Sequence, residues 1–398
     1  MTNGDYESES QTSLDLRRQC NFPTRHTEMS GDGVGLDFIL VSPYYDVNQG
    51  RIILESLRVG VIGAGKMGLL HAAIFNTLNR SRFTAVSETD SMIRGALRQN
   101  LPDIRIFKDY QKMVESESLD AIVVTTPVFL HKPIIELSLE RGLNVFVEKP
   151  MAMNGAECQD LLRRVKNSRT MVGYCRRYMG TYSFLKRIVD SEELGMAHYF
   201  QSQLSVGQVF GGAKGWQYDP NMSGGGVIID LGCHVFDLLH YLFGQFSSVH
   251  GLAQKAFTNS VEDFASVNVA LKTGLKGSVQ LSWSFRTYRL PELKMIVHFD
   301  HGMATATEKY VAIFSDIDGE ILRKGHSVFY KQQISKSVPF DIGGPEYTLE
   351  DLDFVESIVD GHETNCNFVE GARVNYVIDA IYSSIGDGES KPVDYHGD

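Results

Sequence analysis

The chain has 398 residues, enough for two domains and a sizeable buried core. Its 38 basic and 49 acidic side chains leave a net charge of −11, which argues against nucleic acid or an anionic membrane as partner, since both need a basic stripe. No continuous apolar run approaches the ~18 residues of a membrane span. The five cysteines (Cys20, Cys158, Cys175, Cys233, Cys366) form no CxxC pair, so reduced, mostly buried thiols in a cytoplasmic protein are expected.

Residues 1 to about 33 are polar and aperiodic, and disorder is expected there. Two short apolar strands are expected at 36–43 and 51–54, which makes residues 1–56 an extension before the first domain. From residue 57 the pattern is βαβ. Apolar strands at 57–62, 83–86, 121–125 and 144–147 alternate with helical periods, the first at 67–78. Such alternation predicts a doubly wound parallel sheet covered on both faces, over residues 57–176. After about 177 the pattern changes to segments typical of antiparallel strands, at 196–206, 249–258, 264–271, 277–285 and 293–299. One long helix at 230–243 interrupts them, and helices at 349–359 and 371–385 close the chain. Residues 177–398 therefore read as an α+β domain, its closing helices free to pack back on the first domain.

The run Gly63-Ala64-Gly65-Lys66-Met67-Gly68 follows the first strand and opens the first helix, the context that raises GxGxxG above chance. Its glycines permit the tight turn, the approach of a pyrophosphate and close helix–strand packing, with the phosphates on the helix N-terminus. Glu88, twenty residues beyond Gly68, ends the second strand. A carboxylate there accepts the ribose hydroxyls and repels a 2′-phosphate, so NAD is expected over NADP. Thr126 and Pro127 follow the next strand and are placed beside the cofactor. His131 reads equally as a cofactor neighbour or as a structural histidine at a helix start.

Glu148-Lys149-Pro150 stands at a strand's carboxyl end, where ligands bind in such folds. The Lys149 ammonium is suited to polarising a substrate oxygen. Asp230, His234 and Asp237 are spaced i, i+4 and i+7, which at about 100° per residue is one helical stripe. An imidazole titrating near neutrality suits removal of a hydroxyl proton. Asp230 orients either the substrate hydroxyl or the histidine, and Asp237 holds the helix or the imidazole from behind. A metal site of Asp230, His234 and His240 is disfavoured because His240 lies off the stripe, and no metal is expected.

These motifs, with Gly173-Tyr174…Arg177-Tyr178 and Gly224-Gly225-Gly226…Asp230…Gly232…His234…Asp237, resemble the glucose–fructose oxidoreductase/inositol dehydrogenase/MocA family over residues 57–395. The resemblance implies an N-terminal Rossmann domain and a C-terminal domain with a large, mostly antiparallel sheet. It implies a homodimer or homotetramer, and catalytic roles for Lys149, Asp230 and His234. It departs from the family at Cys175, where an amide-bearing residue is common. Family substrates are sugars, inositols and nucleotide-linked sugars. Tyr174, Arg177, Trp216 and Tyr218 are the residues expected to meet such a polyol, although they equally suit core packing. Two rival readings are a redox-neutral sugar enzyme that uses NAD transiently and a non-enzymatic NAD-sensing protein. Loss of Lys149 or His234 would mark the latter, and both are present.

Overall fold

A computed structural model describes residues 56–209 and 215–396. The disorder and the two strands expected before residue 56 lie outside the described residues. The first sheet comprises β1 (Leu57–Ile62), β2 (Ser81–Ser87), β3 (Arg105–Phe107), β4 (Ala121–Val124), β5 (Asn144–Glu148) and β6 (Thr170–Gly173). All are parallel, in the order β3-β2-β1-β4-β5-β6. The central strands are apolar, β4 throughout and β1 but for Arg58 near its start, because helices cover both faces. Strand order reverses at β1, so the carboxyl ends of β1 and β4 open the crevice that holds ligands in such sheets.

The glycine loop fills the floor of that crevice. Gly63 has φ +94°, and a Cβ on Gly68 would sit 1.9 Å from the Gly63 carbonyl oxygen. The hydroxyl of Thr125, at the end of β4, donates to that same carbonyl at 2.7 Å. Helix Lys66–Thr77 then begins with no side-chain cap and no acidic residue in its first turn, so its leading amides stay available.

The second sheet comprises β7 (Ala197–Ser205), β8 (Phe246–Gln254), β9 (Phe264–Leu271), β10 (Lys276–Ser282), β11 (Glu292–Phe299), β12 (Gly302–Thr307), β13 (Tyr310–Ser315), β14 (Gly325–Tyr330) and β15 (Lys391–Pro392). Their order is β14-β13-β12-β11-β7-β10-β9-β8-β15, antiparallel except for β7 beside β10. Period-2 alternation is plain in β11, where Leu293, Met295 and Val297 are buried and the residues between them are not. Helices Gly180–Ser191 and Phe368–Asp387 lie against the inner face, and helix Cys233–Phe243 packs against both. The other face carries Tyr199, Leu252, Phe314, Val328 and Tyr330, all exposed.

The closing helices join the two sheets. Helix Pro345–Asp360 packs on helix Lys66–Thr77, with the Phe354 ring edge-on to Phe75 and Phe146. Helix Phe368–Asp387 packs on helix Gly155–Leu162 and on strands of both sheets, β6 and β8. Strands β3 and β12 to β15 went unread in the sequence. They are short, and in β3, β12 and β14 glycine, serine, threonine or a charged residue interrupts the apolar pattern.

The expected helix at 230–243 needs correction. Ile228–Gly232 is a π-helical turn, and the α-helix proper is Cys233–Phe243. The wider turn takes Asp230 out of α-helical register with His234. The stretch Pro220–Phe243 is long and apolar enough to cross a membrane by composition, yet 89% of its most apolar window is buried inside the fold. It is a core segment here. Cys158, Cys175, Cys233 and Cys366 are free and buried.

Candidate active site

A cleft of about 210 Å³ opens between the sheets, lined by Met67, Thr126, His131, Glu148, Lys149, Trp216, Gln217 and Asp230 among others. It draws on the glycine-loop helix, the ends of β4 and β5, the turn Trp216–Tyr218 and the π turn. A larger cavity of about 510 Å³, walled by Val189, Leu242, Leu275 and Phe299, holds no comparable cluster of chemistry-bearing groups.

Lys149 reaches into the cleft from the end of β5 through a cis peptide to Pro150. Its ammonium donates to Asp230 Oδ1 at 2.8 Å and to the Asp230 carbonyl at 3.1 Å. Burial disfavours the charge, but Asp230, with Cys233 and Glu148, outweighs that and holds the ammonium above its ordinary pKa. Of its three N–H donors, two are engaged by Asp230. The other oxygen of Asp230 accepts from the Trp283 indole N–H at 3.1 Å. The carboxylate is thus fixed from both sides, and none of these bonds goes to His234.

His234 lies one turn beyond Asp230, 8% exposed, with the Tyr174 ring edge-on to it at 6.1 Å. Its Nδ1 is buried without a hydrogen-bond partner. Burial first, then the cations Arg176 and Lys149, hold its pKa well below 6.5. His234 is therefore a neutral imidazole at neutral pH. Burial keeps the neighbouring Cys233 thiol up at about 12, so no thiolate competes as a base.

Several expected residues lie elsewhere. Arg177 does not enter the cleft. Its side chain is 2% exposed, donates to Asp237 at 2.7 and 3.0 Å and to Glu370 at 3.1 Å, and reaches the Asn365 carbonyl. A buried guanidinium needs such partners, which corrects its reading as a substrate contact. The same pairing turns Asp237 away from the imidazole. Tyr174 is fully buried, so it touches His234 rather than open space. Tyr218 stacks edge-on against Trp283 at 5.7 Å, while Trp216 is 40% exposed at the cleft. His131 places Nδ1 3.0 Å from the Pro150 carbonyl and Nε2 2.9 Å from the Thr126 carbonyl, and because burial lowers its pKa the neutral ring donates to one of the two. It ties the β4 loop to the end of β5.

Trp283 and His71 were not singled out in the sequence. Trp283 is one of only two tryptophans and directly follows β10, a faint signal. His71 lies three residues past the glycine loop and bonds Glu148 at 3.2 Å.

The residues present fit a dinucleotide. Around Gly65 nothing lies within 4 Å of a built Cβ, leaving the open approach a pyrophosphate needs. Glu88 is held in place by the Ala64 and Asp90 amides, both at 2.8 Å, at the end of β2 where a ribose would sit. The buried Thr126 hydroxyl, on the cleft wall, has no partner.

A Rossmann sheet with an uncapped glycine-loop helix, and a paired lysine and aspartate in the cleft at its mouth, is the architecture of an NAD-dependent oxidoreductase. The comparisons agree. The pattern of the oxidoreductase family with an NAD-binding Rossmann fold matches residues 57–174, and that of the GFO/IDH/MocA C-terminal domain matches residues 182–305. The chain belongs to the glucose–fructose oxidoreductase/inositol dehydrogenase/MocA family. It is 27% identical to an inositol 2-dehydrogenase of Corynebacterium glutamicum over 261 residues, 64% of this chain and 71% of that one. It is also 27% identical to a scyllo-inositol 2-dehydrogenase (NAD(+)) of Bacillus subtilis over 247 residues, 57% and 68% of the two chains. In fold it is similar to levoglucosan dehydrogenase in complex with NADH, with a TM-score of 0.79 at 19% identity, covering 85% of this chain and 100% of that one.

Proposed function

We propose that the protein oxidises a secondary hydroxyl of a sugar, inositol or nucleotide-sugar, with Lys149 and His234 handling the proton. The observation that carries this reading is the juxtaposition of an ammonium locked on by Asp230 and an imidazole kept neutral by burial. NAD, when bound at the glycine loop, supplies the hydride acceptor. Lys149 directs its remaining N–H at the substrate oxygen and stabilises the negative charge that develops there. His234 accepts the hydroxyl proton, which a neutral ring does and an imidazolium does not. Asp230 and Trp283 hold Lys149 in place. The half-exposed face of Trp216 and the amide of Gln217 offer stacking and hydrogen bonds suited to a polyol ring.

Inositols are the first substrates to test, because the relatives above carry that name. A panel of inositols, sugars and nucleotide-sugars, read as NADH absorbance at neutral to alkaline pH, is the experiment. Turnover of none of them would reject the substrate class. We also read the protein as a homodimer or homotetramer that covers the outer face of the second sheet, where Leu252, Val328 and Tyr330 are exposed. Light scattering that finds one 44.5 kDa chain at micromolar concentration would reject that.

A further inference from the structure

We propose that His71 is a positioning residue for Lys149, gripping through its ring the carboxylate that receives the Lys149 backbone amide. The proposal rests on the catalytic reading of Lys149 and extends it to a residue outside the cleft. His71 stands on helix Lys66–Thr77 and is completely buried. Its Nδ1 meets both oxygens of Asp351, at 2.8 and 3.0 Å, and its Nε2 meets Glu148 Oε1 at 3.2 Å. The other oxygen of Glu148 accepts the Lys149 N–H at 3.0 Å. One continuous chain of hydrogen bonds therefore runs from helix Pro345–Asp360, through the glycine-loop helix, to the backbone from which the Lys149 side chain departs.

The chemistry of the ring explains why a histidine is needed. A neutral imidazole has one N–H and would present a lone pair to one of the two carboxylates. With both carboxylates ionised, only the doubly protonated ring satisfies both. Burial opposes that charge, but Asp351 and Glu148 outweigh it and keep His71 well above its ordinary pKa. The neighbouring Glu350, whose oxygens have no partner, is pushed up by burial, which disfavours its charge beside the ring. The rings of Phe146 and Tyr347 close the site against water, with centroids 4.9 and 6.4 Å from that of His71. In that dry setting the contact is rigid. Glu148 cannot turn away from the end of β5 without leaving the buried Nε2–H of the ring without an acceptor, since Asp351 engages only Nδ1.

The test reads Lys149 directly and needs no substrate. Reductive methylation of the full-length protein with formaldehyde and a borane, followed by peptide mass spectrometry, gives the rate at Lys149 against exposed Lys309. In the wild type the Lys149 amine is protonated and ion-paired, and reacts slowly. In His71→Leu, Glu148 is released, Lys149 leaves Asp230, and its rate should rise by about 5-fold or more while Lys309 is unchanged, the response of an amine freed of a carboxylate partner. Calorimetric NAD affinity should stay within a few fold. With a turned-over substrate in hand, kcat should fall more than KM rises. His71→Asn, too short to reach Glu148, is read in the same way if the leucine variant does not fold. A wild-type Lys149 rate in either folded variant, even with a lowered Tm, would show that His71 merely stabilises the core and overturns the proposal. Because methylation does not depend on turnover, an error in the substrate class leaves this result readable.

Discussion

Lys149 Nζ lies 2.8 Å from Asp230 Oδ1, so a residue at the end of a parallel strand and a residue on a π turn 81 positions later form one ion pair. Neither sheet holds this pair alone. The Rossmann sheet supplies the ammonium, and the π turn packed on the second sheet supplies its counter-charge. Cleft geometry therefore depends on the closing helices that hold the two sheets in place.

Binding and chemistry should separate in variants. Lys149→Ala and His234→Ala should keep NAD affinity within a few fold by calorimetry, because the glycine loop and Glu88 are untouched. Turnover should fall by about 10²–10⁴, the usual worth of a positioned acid or base. Equal loss of NAD affinity and activity in both variants would show that these residues serve binding.

Trp283→Phe removes one hydrogen bond to Asp230 and keeps most of the packing. A hydrogen bond to a charged group contributes about 1.5–3 kcal/mol. A fall in kcat of about 10-fold, with NAD affinity unchanged, is expected. Wild-type kcat would mean that Lys149 alone fixes the carboxylate.

The pH dependence follows from the two histidines. His234 is lowered in the fold, so below 6.5 the unfolded chain binds a proton that the folded one refuses. Stability from this group is present above 6.5 and is lost as pH falls toward its folded value. His71 is raised, so its contribution is full below 6.5 and is lost as pH rises through its folded value. Urea midpoints against pH should show a flatter acid limb in His234→Asn and a flatter alkaline limb in His71→Leu. The acid limb of kcat/KM should lie below pH 6.5, and a limb above it would contradict a neutral, buried base.

Glu88→Ala should narrow the preference for NAD over NADP by removing the charge that repels a 2′-phosphate. Nearby Arg94 already donates to the Glu88 and Thr89 carbonyls, so little new cationic grip is expected and NADP should not overtake NAD. Calorimetric titration with both nucleotides decides it. NADP binding as tight as NAD in the wild type would remove the role given to Glu88.

Arg177→Ala leaves Asp237 buried without its partner. Breaking a buried pair in this way costs about 3–5 kcal/mol of stability. The denaturant midpoint should fall accordingly. In whatever fraction remains folded, KM should change little, and a large KM effect at unchanged stability would return Arg177 to the substrate site.

The sequence alone determined the cofactor half of the protein. The glycine loop, Glu88 and the strand-end lysine are local features. Their meaning depends on a strand before and a helix after, and both are written in the hydrophobic period around Leu57–Ile62 and Lys66–Thr77. Asp230 and His234 were legible as a pair by spacing, but their partners were not. An i, i+4 relation assumes an α-helix, and the π turn at Ile228–Gly232 sends Asp230 to Lys149 and Trp283 instead. Arg177 read as a ligand contact because an arginine among tyrosines suits a polyol ring, although core packing suited it equally. Only the tertiary structure supplied Asp237, Glu370 and the Asn365 carbonyl, which make its burial tolerable. Likewise the imidazole of His71 acquired its partner Asp351 from 280 residues away. Period and motif are set by neighbours along the chain, whereas the charge state of a buried group is set by what the fold brings against it.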